Sequence, residues 1–115
     1  MGDLSPHFDR SEFRDRRTGE LVGPPGSLVD ALEHLRRTCG DKPLRIISAY
    51  RSPKTNAAVG GATRSRHLVG DAVDIPRGYA TVEEAEHCGF TGIGEYSGWA
   101  VHVDLRPSPA RWSYG

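Results

Sequence analysis

Trp99-Ala100-Val101-His102-Val103-Asp104-Leu105 alternates strictly between large apolar residues and small or polar ones. A period of two over this length is a strand with two unlike faces. Val101, Val103 and Leu105 turn toward a core, while Ala100, His102 and Asp104 point the other way. A chain carrying this strand must build a sheet, and one face of that sheet must accept a histidine and an aspartate. A second, shorter alternation runs from Asp71 to Ile75, where Ala72 and Asp74 share the face opposite Val73 and Ile75. Gly70 precedes it and permits the turn that returns His67 over the strand. The rival reading of this pair is a turn histidine beside a solvated aspartate.

The rest of the chain punctuates clearly. Ser5 to Phe13 is polar with two phenylalanines, an arm whose Phe8 and Phe13 dock on the body, with His7 at the surface. Asp15 to Gly26 reads as loop. Ser27 is a candidate N-cap for a helix over 27–38 that ends at Gly40, with Asp30, Glu33 and His34 facing solvent. Pro43 to Arg51 reads as a strand delivering Arg51 at its end, and Lys54 to Arg64 as a glycine-containing loop with room for a helical turn at Thr55 to Val59. Thr81 and Glu84 fit a capping box at the start of a helix over 81–88, with His87 in its last turn. Phe90 to Tyr96 is a glycine-containing strand, and Ser97-Gly98 a turn. Trp112, in the tail, is placed to pack back.

These segments predict an α+β fold. A small antiparallel sheet forms from 44–51, 71–75, 91–96 and 100–105, helices at 27–38 and 81–88 pack on one face, and a metal site occupies the other. The length of 115 residues suits one domain over 1–115, with an arm and loop over 1–26 and a tail over 107–115. Fifteen basic and fifteen acidic side chains cancel, which removes the electrostatic footprint for nucleic acid or an anionic membrane surface. A monomer is expected. No apolar run approaches a membrane span or a signal-peptide core, so export would use a phage release system or a longer precursor. Cys39 and Cys88 stand outside any metal-binding spacing and are read as buried thiols, with a disulfide as the alternative.

If the strands bearing Asp74 and His102 are neighbours, His67, Asp74 and His102 converge. Two imidazoles and a carboxylate are a zinc donor set, and three protein ligands leave a fourth tetrahedral position open, as in catalytic sites.

Ser65-x-His67-x-x-Gly70-x-Ala72-x-Asp74, followed by a histidine in a late strand, resembles the zinc D-alanyl-D-alanine carboxypeptidases and their relatives. Those relatives are peptidoglycan endopeptidases, phage endolysins and the Hedgehog signalling domain. Ser48-Ala49-Tyr50-Arg51-Ser52 with Asn56, Gly60 and Gly61 resembles the family's arginine-bearing strand and loop. The resemblance covers about residues 27 to 106. It implies zinc held by His67, Asp74 and His102, a substrate carbonyl or carboxylate held by Arg51, and Ser65 lining the site.

Many relatives carry an acidic residue or histidine three positions before the last ligand, and here that position is Trp99. The proton acceptor must then be another residue. Asp104 is the first candidate and Glu95 the second, with orientation of a histidine ligand as the other role open to Asp104. The implied function is a zinc peptidase cutting peptidoglycan stem peptides, as a carboxypeptidase or an endopeptidase. The alternative is a zinc-containing module that binds wall peptides or a protein partner without cutting.

Overall fold

The computed structural model describes residues 2–62 and 65–114. Thr63 and Arg64, at the end of the expected loop, lie outside the described residues, as do Met1 and Gly115. In chain order come a 3-10 turn at Arg10–Phe13, helix α1 at Gly26–Thr38, helix α2 at Pro53–Ala58 and a second 3-10 turn at Arg66–Leu68. Strand β1 follows at Ala72–Asp74, then helix α3 at Val82–His87, β2 at Gly92–Tyr96, β3 at Trp99–Asp104 and β4 at Ala110–Ser113.

Strand β3, the alternating segment, lies inside a four-stranded sheet of order β1-β3-β2-β4. It pairs antiparallel with β1, setting Asp74 opposite His102 and Ala72 opposite Asp104. It also pairs antiparallel with β2, through a two-residue turn in which Ser97 and Gly98 both have positive φ. That is the hairpin turn whose twist suits the strands it joins. On the outer side of β2, β4 pairs parallel, with Gly94 opposite Trp112.

The α+β class holds, and the sheet is mixed rather than wholly antiparallel. The fourth strand is β4, not 44–51. Residues 44–51 run beside β1 but bridge it at a single point, Ser48 to Asp74. Their outer carbonyls are taken by a side chain instead of a strand: the Arg16 guanidinium donates to Ile46 O at 2.7 Å and Ile47 O at 3.3 Å.

Alternation gives the sheet its two faces, except at Val101, the extra residue of β3 at the register shift with β2. Against expectation, Val101 lines the cleft beside His102, and Ala100 is buried in the core. On one face, Val73, Val103 and Ile93 are fully buried, and they join Leu28, Leu32 and Leu35 of α1 and Ala85 of α3 in one core. On the other, Asp74, His102, Gly94 and Trp112 form a row across all four strands. Ala72, Asp104, Gly92 and Ala110 form the next row. The two glycines are required by crowding on this face. A Cβ at Gly92 would overlap the Asp104 carboxylate, and one at Gly94 would overlap Trp112 and Tyr114.

Helix α3 begins on the expected capping box: Glu84 N donates to Thr81 Oγ1 at 3.1 Å, and Thr81 N donates to Glu84 Oε1 at 2.9 Å. Helix α1 starts one residue before Ser27, from Pro25, and Ser27 does not cap it. Glu33 is buried, against the expectation of a solvent-facing residue, because the N-terminal arm folds over it. Its carboxylate accepts from Ser5 Oγ at 2.6 Å, His7 N at 2.9 Å and His7 Nδ1 at 2.7 Å. Phe8 and Phe13 are buried as expected, edge to face with centroids 6.4 Å apart. Cys39 and Cys88 are free thiols, and burial pushes Cys39 up to about 11. Among the described residues no helix is long and apolar enough to cross a membrane.

Asp15, within the stretch that reads as loop, is fully buried. It accepts from Arg17 N at 2.8 Å, Thr18 N at 2.9 Å, Ser52 N at 2.8 Å and Thr55 Oγ1 at 3.0 Å. Burial alone would raise its pKa, but these donors outweigh it and hold the carboxyl well below the usual carboxylate range. A depressed folded pKa stabilises above the unfolded value, about 3.9, and that contribution is lost as pH falls through the folded value. Asp15→Asn is therefore expected to lower stability by roughly 3 kcal/mol at neutral pH. The gap from wild type should narrow as pH drops below about 3.9, in urea unfolding measured across the acid range.

Candidate metal centre

His67 lies in the short 3-10 turn before β1. The turn is capped by Ser65, whose Oγ accepts from His67 N at 3.2 Å. Gly70, at φ 81°, then reverses the chain into β1, whose last residue is Asp74. Register places His102 directly across from Asp74. The result is a cluster in which His67 Nε2 and His102 Nδ1 each lie 3.2 Å from Asp74 Oδ1. The imidazole centroids are 5.0 Å apart, and the three candidate ligand atoms all lie within 4.8 Å of one another.

The far nitrogen of each ring is already committed. His67 Nδ1 donates to Ala49 O at 2.6 Å, and His102 Nε2 donates to Asp104 Oδ2 at 2.8 Å. In neutral rings this leaves a lone pair on His67 Nε2 and on His102 Nδ1, both directed at a carboxylate oxygen. Three acceptor atoms aimed at one another require a cation between them. Two imidazole nitrogens and a carboxylate oxygen, with the rings tied from behind, fit a zinc ion. Without an ion, protons meet part of this need. Burial opposes the charge, but Asp104 and Asp74 hold His102 above the ordinary imidazole value. Burial likewise works to raise Asp74, and hydrogen bonds from His102 and His67 hold it well below the carboxylate range.

The cluster opens onto a cleft of about 800 Å³. Arg51 forms part of its wall, as the sequence predicts, and its backbone N donates to His67 O at 3.0 Å. Its guanidinium reaches Asp74 Oδ2 and Asn56 Oδ1, both at 3.3 Å. Ser65 also lines the cleft.

Asp104 shares the strand face of His102 as expected, but neither it nor Glu95, the other candidate for a proton acceptor, lines the cleft. Asp104 is fully buried behind His102, and both of its oxygens are engaged. Oδ2 accepts from His102 Nε2 and from Arg106 Nη2 at 2.6 Å, while Oδ1 accepts from Arg106 N at 3.0 Å and Nε at 2.9 Å. Burial favours its neutral form, yet His102 and Arg106 hold it ionised well below the usual range. Glu95 turns away into the hairpin, where Oε2 accepts from Gly98 N at 2.6 Å beside the register shift in β2. Among the described residues lining the cleft, Asp74 is the only carboxylate.

Among the lining residues that escaped the sequence-based site, three form its far wall. Arg106 follows β3 by two residues, Trp112 lies in β4 and Tyr114 just after it. The Trp112 ring lies 5.0 Å from that of His102, and the Arg106 guanidinium 4.8 Å from the Trp112 ring centre. The available signal was Gly92-x-Gly94, since glycines two apart in a strand mark one face that something approaches closely.

The model of the peptidase M15 family matches residues 6–104 of this chain. The zinc D-Ala-D-Ala carboxypeptidase of Streptomyces albus G is 39% identical over 89 residues, covering 71% of this chain. The chain spans 35% of the length of that relative.

Proposed function

The chain belongs to the peptidase M15 family, and on that premise we propose that it is a zinc-dependent peptidase hydrolysing a peptide bond in bacterial peptidoglycan stem peptides, of the D-Ala-D-Ala carboxypeptidase or endopeptidase type. One observation carries the reading: His67 Nε2, Asp74 Oδ1 and His102 Nδ1 converge at the cleft floor with the far nitrogens of both rings already tied. These three residues would hold the ion. Bound zinc polarises a carbonyl and lowers the pKa of water from about 16 to roughly 7.

The side chains around the ion divide the remaining work. Arg51, half-buried beside Asp74, presents a planar two-pronged donor to the substrate's carbonyl or carboxylate oxygen. Ser65 shapes the site indirectly, by capping the turn that carries His67. Asp104 fixes the His102 tautomer and ring plane, the role of a carboxylate behind a histidine ligand, and Arg106 keeps that carboxylate ionised. Val101, Trp112 and Tyr114 give the cleft apolar walls that bring the substrate backbone in from bulk water.

A second reading draws on the absence of any cleft carboxylate besides Asp74 among the described residues. It is a zinc-containing module that binds wall peptides without cutting them. Mass analysis of defined muropeptides incubated with zinc-loaded protein separates the two. Loss of a terminal D-alanine identifies a carboxypeptidase, and an opened crosslink identifies an endopeptidase. Tight binding with every mass unchanged identifies the module.

A further inference from the structure

A second, smaller pocket of about 310 Å³ adjoins the cleft, sharing Arg51 and Val59 with it. Its other walls are Arg16, Arg17, Ser48 and Thr55. Three arginines therefore line this small pocket. Arg51 is shared with Asp74, and Arg16 spends Nε and Nη2 on backbone carbonyls. The Arg17 guanidinium and the Ser48 hydroxyl have no partner among the described residues.

The carboxylate nearest in sequence does not fill this space. Asp15 is turned inward with no exposed surface, and backbone and hydroxyl donors occupy it. By accepting from Arg17 N, Thr18 N and Ser52 N at once, it bolts the turn bearing Arg16 and Arg17 to the chain just after Arg51. The arginines are thus held on a fixed backbone rather than on a loose arm, which lowers the ordering cost of binding. Partial desolvation, then the neighbouring Arg14 charge, hold Arg16 below the ordinary arginine value against the opposing pull of Glu12.

We propose that the pocket formed by Arg16, Arg17 and Arg51 is a subsite for a carboxylate carried by the same peptide that occupies the metal cleft. This rests on the peptidase reading and adds a substrate feature to it. Arg51 faces both spaces, so one extended peptide can lie along the cleft and drop an acidic side chain past Arg51 toward Arg17. Guanidinium groups match a carboxylate with paired donors, and the Ser48 hydroxyl adds another.

The test uses two stem peptides ending in D-Ala-D-Ala, one with free side-chain carboxylates and one with these converted to carboxamides. Zinc-loaded wild type is expected to favour the free acid by about tenfold in kcat/KM, the scale of a charged hydrogen bond. Arg17→Gln is expected to bring that ratio close to one. A ratio near one in wild type, or one unchanged by Arg17→Gln, would overturn the subsite. Calorimetric affinities for the same two peptides provide the same ratio where neither is cut. A failure of hydrolysis is thereby distinguished from a failure of the subsite.

Discussion

The His67→Ala protein is expected to be folded, zinc-free and inactive. His67 supplies one of three converging donors, and a site reduced to Asp74 and His102 cannot complete a tetrahedral set. Loss of several kcal/mol of charge stabilisation by the ion, at 1.4 kcal/mol per factor of ten, reduces peptide cleavage by about a thousandfold or more. The cost to folding is smaller. The substitution removes two hydrogen bonds, to Ala49 O and to Asp74 Oδ1, at roughly 1 kcal/mol each, while the core on the other sheet face is untouched. Metal analysis of the purified protein, a thermal melt and a muropeptide assay check the three parts separately. Stoichiometric zinc and wild-type cleavage in this variant would remove the metal site from the account.

The second large effect is expected at Asp104, and it distinguishes two roles. Asp104→Asn keeps the side chain's shape but removes the charge that His102 and Arg106 share. If the carboxylate orients His102 from behind, zinc affinity falls about 10- to 100-fold, and activity follows zinc occupancy. Saturating zinc should then restore most of the cleavage. A proton acceptor would behave oppositely, with zinc affinity intact and kcat reduced at every zinc concentration. Titration against a chromogenic chelator, paired with kcat at saturating zinc, decides between them. Full burial and the engagement of both oxygens favour the first outcome.

Much of the site was legible because short-range rules govern it. Gly70 between His67 and Asp74, and the period of two from His102 to Asp104, set the faces of these side chains before any partner strand is known. The irregularity that turns Val101 to the cleft and Ala100 to the core is not written in that period. The same holds for the Thr81–Glu84 capping box and the Ser97-Gly98 hairpin, each written within four residues. Arg51 was legible too, since it closes an apolar run next to the turn that carries His67.

The misplaced residues share a different property: their surroundings come from far along the chain. Glu33 has charged neighbours on α1 and reads as exposed, but its partners Ser5 and His7 are 28 and 26 positions away. Asp15 is fastened to Ser52, 37 positions on. Periodicity carries no information about such contacts. Residues 44–51 show the same limit for strands. Their composition suits a sheet, but they meet β1 only at Ser48, and Arg16 takes their outer carbonyls.

By itself, the sequence determined the α+β class, the His67–Asp74–His102 grouping and the nearness of Arg51, because side-chain direction along a strand or tight turn follows from local backbone geometry. Only the tertiary structure decided which strand completes the sheet, and that Trp112 and Tyr114 wall the cleft. It alone turned Asp104 and Glu95 away from that cleft. A carboxylate on the polar face of a strand can meet either solvent or a neighbour. Arg106 and His102 close around Asp104, so desolvation is offset by hydrogen bonds to both oxygens, and the group lies buried instead of at the surface.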